Sequence, residues 1–100
     1  MKIKHGVGVI GLKPEALLGI MIAANVYEAN GYEFVLTSCE EGKHSKNSRH
    51  YLGMAFDCRT RDMPVAAIPK MLEKLKEALG SHYLVLFEKN HFHISYKPQR

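Results

Sequence analysis

The stretch that most constrains this 100-residue chain is HYLVLFEKNHFHISYK, residues 82–97. Two runs of branched and aromatic residues, 83–88 and 91–96, are separated by only Lys89 and Asn90. That spacing is the signature of a two-residue β-hairpin. Asn90 is the expected carrier of the turn's positive φ, because asparagine tolerates that region. Residues flanking such a turn become cross-strand neighbours, with Cβ atoms about 5 Å apart and side chains on one face. Glu88 therefore faces His91, and alternation adds His93 and Leu86 to the same side. The opposite side collects Val85, Phe87, Phe92, Ile94 and Tyr96, which reads as a core surface.

The remaining elements must cover that apolar side. Residues 2–12 are an extended, glycine-punctuated lead-in that can carry a short edge strand, with His5 exposed on it. Pro14 suits the first turn of a helix, where a missing N–H does no harm. Leu17, Ile20, Met21 and Ala24 recur at helical spacing and Gly31 stops the run, so a first helix is expected over about 14–30. YEFVLTS (32–38) and YLGMAFDCR (51–59) read as strands. Alternation in the second places Met54, Phe56 and Cys58 on one face and Gly53, Ala55 and Asp57 on the other, the two small residues leaving room beside the carboxylate. Asp62 and Pro64 open a second helix over about 64–79, with Ile68, Leu72, Leu75 and Leu79 as its apolar stripe and Pro69 marking a kink or the true start. The expectation is an α+β fold: a small, mainly antiparallel sheet (about 32–38, 51–59, 83–88, 91–96) packed with two helices, in a single domain spanning residues 1–100.

Hydrophobic residues make up 46% of the chain, enough for one small core. Cys39 and Cys58 are too few for a disulfide framework and indicate a reduced chain. The N-terminal apolar run is broken by Lys13, Pro14 and Glu15, so neither a signal peptide nor a membrane span is expected. The net charge of +4 suits an anionic partner such as a cell wall. The basic residues are scattered along the sequence without a stripe of interleaved aromatics, so no nucleic-acid partner is expected.

Upstream, the polar stretch from Ser38 leads through His44 and His50 to Asp57. Its loop is long for so small a domain, and long ordered loops are more often functional than idle. Histidines and carboxylates in this mixture suit Zn²⁺, and three protein ligands leave a fourth position for water. Calcium and magnesium favour all-oxygen shells and fit less well.

SRHYLGMAFD (48–57) resembles the SxHxxGxAxD signature of M15-type zinc D-Ala-D-Ala peptidases, with Ser48, His50, Gly53, Ala55 and Asp57 in register. EKNHFHISY (88–96) resembles the Glu…HxH segment of the same group, and order and length are similar to the small phage and prophage members. The resemblance covers about residues 30–96 and extends to peptidoglycan endopeptidases and the hedgehog signalling domain. It implies a hedgehog/D-Ala-D-Ala-peptidase-like fold and one Zn²⁺ per chain held by His50, Asp57 and His93. It implies Glu88 as catalytic acid/base and His91 as an oxyanion-stabilising histidine. Alignment on Glu-x-x-His instead makes His91 the third ligand. His44, Ser48 and Arg49 fall at the substrate-binding rim.

The arginine that these peptidases usually place upstream of the first ligand is absent; Lys43 and Lys46 stand in that region. That favours an endopeptidase over a carboxypeptidase. The implied function is a D,D- or L,D-type metallopeptidase of the endolysin kind, degrading peptidoglycan stems or cross-links. Such a chain would be a cytoplasmic product, expected as a monomer, reaching the cell wall through phage- or lysis-mediated release. A non-catalytic zinc-stabilised binding module and a metal-dependent nuclease are the competing readings.

Overall fold

The computed structural model describes residues 1–9, 11–39 and 54–97. The hairpin forms over β4 (Tyr83–Glu88) and β5 (His91–Tyr96), the bounds that the two-residue turn requires. Its register pairs Glu88 with His91 and Leu86 with His93. The turn differs from expectation in one respect: the residue with positive φ is Lys89, at 52°, and not Asn90. Asn90 has other work, since its carbonyl accepts the Thr60 N–H at 3.2 Å and its side-chain oxygen lies 3.2 Å from His91 Nδ1.

Strand β5 pairs antiparallel with β3 (Ala55–Arg59), which pairs antiparallel with β2 (Val35–Ser38). A two-residue strand β1 (Lys2–Ile3) adds to β2 in parallel, giving five strands in the order β1-β2-β3-β5-β4. The sheet is thus mainly antiparallel with one parallel edge. Strand β2 is shorter than the 32–38 expected, because the Tyr32 N–H bonds back to the Tyr27 carbonyl and closes the preceding helix. The expected start of β3 at 51–53 lies outside the described residues.

Helices α1 (Pro14–Ala29) and α2 (Ile68–Leu79) pack on one side of the sheet. The second was expected from residue 64. Instead a 3₁₀ turn over Val65–Ala67 precedes it, and Pro69 sits in the first α-helical turn, where proline is tolerated. Asp62 does not cap the helix; its carboxylate accepts a 2.8 Å bond from Arg59 Nη2. The buried stripe of α2 is Met71, Leu75 and Leu79, with Ile68 and Leu72 partly buried beside it.

Helix α1 buries only half of its expected stripe, Ile20 and Ala24, and turns Leu17 and Met21 outward. Ala16, Gly19, Ile20, Ala23, Ala24 and Tyr27 face the sheet, while Leu17 and Met21 are 47% and 63% exposed. Small side chains win because they let the helix approach closely. A Cβ at Gly19 would stand 2.9 Å from the Tyr83 ring and 3.1 Å from the Phe56 ring. Phe56, Cys58, Val85, Phe92 and Ile94 complete the core from the sheet side. Phe87 was expected there too but is 39% exposed, with its ring edge-on to Phe92 near the turn. Tyr96 is only half-buried, its ring against Tyr83.

The tight seat of α1 makes a direct prediction. Gly19→Val should lower stability by about 2 kcal/mol through overpacking. Leu17→Ala, on the exposed side, should change it by less than about 0.5 kcal/mol. Urea denaturation of both variants checks the pair, and a large loss at Leu17 would contradict the observed helix orientation.

Candidate functional site

The sheet has a face turned away from the helices, and alternation sends every second side chain there. On β3 these are Ala55, Asp57 and Arg59; on β5 they are His91, His93 and Ser95. Antiparallel pairing sets Asp57 directly across from His93 and Arg59 across from His91, and β4 brings Glu88 to the far side of His91.

Directly opposed cross-strand side chains lie close enough to interact. His93 Nδ1–H donates to Asp57 Oδ1 at 3.0 Å. The second carboxylate oxygen of Asp57 lies 3.6 Å from His91 Nε2, and Glu88 Oε1 lies 3.5 Å from the same nitrogen. His91 is thus flanked by two carboxylates, with its Nδ1 facing Asn90 Oδ1. Side-chain exposure rises from 15% at Asp57 to 50% at Glu88, so the cluster runs from a sheltered pair to an accessible carboxylate.

The structure therefore brings together Asp57, Glu88, His91 and His93. His44, Ser48, Arg49, His50 and Gly53 lie outside the described residues. Ala55 was expected to leave open space beside Asp57. It has no exposed surface, and Ser95 across from it is also buried, so the accessible face begins at Asp57 and His93.

Tetrahedral Zn²⁺ ligands at about 2.0–2.1 Å from the metal stand about 3.3 Å from one another. The 3.0 Å hydrogen bond between Asp57 Oδ1 and His93 Nδ1 is close to that separation, and both atoms are accepted zinc ligands once the nitrogen gives up its proton. Among the described residues, no group of three or more His, Cys, Asp or Glu side chains is placed to hold a metal ion. A third ligand would have to come from elsewhere in the chain, and His50 is the residue expected to supply it.

Both cysteines are buried. Cys39 Sγ lies 2.9 Å from the Gly8 carbonyl. Burial pushes the Cys58 thiol up to about 12, so it stays a protonated core group at neutral pH. The sequence reading missed Tyr27, a large residue on α1 whose hydroxyl donates to the Arg59 carbonyl at 2.8 Å and lies 3.4 Å from Cys58 Sγ. Its buried ring stacks edge-on against Phe34 and Phe92. This bond ties α1 to the end of β3, two residues from Asp57. Tyrosine at the end of a helical apolar stripe was the one available signal.

No protein-family model matches the chain, and neither a curated protein nor a solved structure matches it. Among the described residues no helix is long and apolar enough to cross a membrane.

Tyr27→Phe keeps the ring and removes the bond to β3. It should cost about 1–2 kcal/mol, since a part-buried hydrogen-bond acceptor loses its partner. The urea midpoint measures this, and an unchanged midpoint would show that the hydroxyl does not tie the helix to the strand.

Proposed function

We propose that this chain is a zinc metallopeptidase that hydrolyses peptide bonds in bacterial peptidoglycan stems or cross-links, with a hedgehog/D-Ala-D-Ala-peptidase-like fold. The observation that carries the reading is the convergence of Asp57, His93, His91 and Glu88 on one sheet face, with Asp57 and His93 at near-ligand spacing. Two stretches of sequence that are 30 residues apart supply these groups, and their types are those of the resembled motifs.

Asp57 and His93, joined by His50, would hold one Zn²⁺ per chain. When bound, zinc supplies Lewis acidity and lowers the pKa of a coordinated water to about 7. His93 fits the third-ligand position better than His91, because its Nδ1 lies 3.0 Å from Asp57 Oδ1, against 3.6 Å between His91 Nε2 and Asp57 Oδ2. His91 Nε2 lies between the Asp57 and Glu88 carboxylates, and from there a protonated His91 would support the developing oxyanion. Glu88 is half-exposed and held only loosely by His91, so it can reach a water proton and return it to the leaving nitrogen. His44, Ser48 and Arg49 would contact the substrate at the rim.

The test is purified protein, zinc analysis and mass spectrometry of digested peptidoglycan. About one zinc per chain and released muropeptides are expected. Glu88→Ala should keep zinc and lose about 10²–10⁴-fold in rate. His93→Ala should lose zinc as well as activity. Full activity in Glu88→Ala would sink the assigned base. Zinc binding without cleavage of any muropeptide would point to the non-catalytic binding module.

A further inference from the structure

The same sheet face continues past His91 toward the N-terminal edge. There a groove of about 480 Å³ is lined by Lys2, Lys4, His5, Arg59, Arg61 and His91, among others. That volume lies within the range of ligand sites. The described lining contains no aspartate or glutamate. Ile3 and Val35 add apolar lining, with Thr37 and Asn90 as neutral polar groups.

Three separate parts of the chain converge here. The N-terminal strand and the residue after it supply the lysines, β3 and the residues after it supply the arginines, and the hairpin supplies His91. Among the described residues, Lys2, Lys4 and Arg61 form no ion pair with a carboxylate. Arg59 gives one N–H of its guanidinium to Asp62, while its buried Nε has no acceptor among the described residues. His91 belongs to both the groove and the Asp57 cluster, so the two are continuous.

We propose that this groove is an extended subsite for a carboxylate-bearing stretch of the peptide substrate, gripped by Lys4, Arg59 and Arg61 and leading to His91. As a substrate subsite it rests on the peptidase reading of the neighbouring cluster. Planar guanidinium groups match carboxylate geometry, and the lysines add charge along the approach.

The experiment reads binding without turnover. Glu88→Ala protein is titrated calorimetrically with muropeptide stem peptides bearing free carboxylates, and with the same peptides as carboxamides. The acid forms should bind about tenfold more tightly, a preference that weakens as salt rises. In Glu88→Ala protein that also carries Lys4→Gln and Arg61→Gln, both exposed positions, affinity for the acid forms should fall about fivefold while the amides are unaffected. Equal binding of acid and amide forms to the unsubstituted groove would overturn the proposal. Tighter binding of a single-stranded oligonucleotide than of the acid peptides would also overturn it. Acid-selective binding with no muropeptide cleavage by the wild-type chain would support the groove and sink the peptidase reading instead.

Discussion

The antiparallel register of β3 against β5 is the constraint on which the rest depends. It sets Asp57 across from His93 and, through the same ladder, Phe56 across from Ile94 and Cys58 across from Phe92. One face of this strand pair is the floor of the core, and the other carries the polar cluster. A slip of one residue would turn Asp57 into the core and Phe56 out to solvent, since side chains alternate with period two. The burial of Phe56, Cys58, Phe92 and Ile94 therefore enforces the geometry of Asp57 and His93 on the far side. Core and candidate site are two readings of one register.

The helices hold that register from behind. Helix α1 sits close because Gly19 leaves room for the rings of Phe56 and Tyr83, and Tyr83 in turn donates from its hydroxyl to the Glu15 carbonyl. Tyr27 reaches through the core to the Arg59 carbonyl. Further along, the buried Thr60 donates its N–H to Asn90, which fastens the end of β3 to the hairpin turn. The strand bearing Asp57 and Arg59 is thus restrained at its C-terminal end from both the helix side and the hairpin side. A hydrogen-bonding pair held on paired strands is better positioned than one held on loops.

Where sequence reasoning fell short, it did so over choices among locally equivalent options. The run of apolar residues in α1 offers several faces, and large side chains drew attention to Leu17 and Met21. The buried face was selected by fit against the sheet, which favoured alanine and glycine. In the hairpin turn, Asn90 was the better local candidate for positive φ, yet its carbonyl and side chain serve Thr60 and His91, and Lys89 takes the strained position. The lysines and arginines are scattered in sequence, yet a parallel pairing of β1 with β2 brings Lys2 and Lys4 to the same groove as Arg59 and Arg61.

What the sequence alone determined is the set of local relations. The two-residue spacing at Lys89-Asn90 made the hairpin and put Glu88, His91 and His93 on one face, and period-two alternation put Asp57 opposite Phe56 and Cys58 on its strand. These depend only on neighbours a few residues apart. The tertiary structure alone decided that Asp57 touches His93, which face of α1 is buried, and that the N-terminal lysines lie near Arg59 and Arg61. Those relations join segments tens of residues apart, and only the packing of the whole core selects among their alternatives.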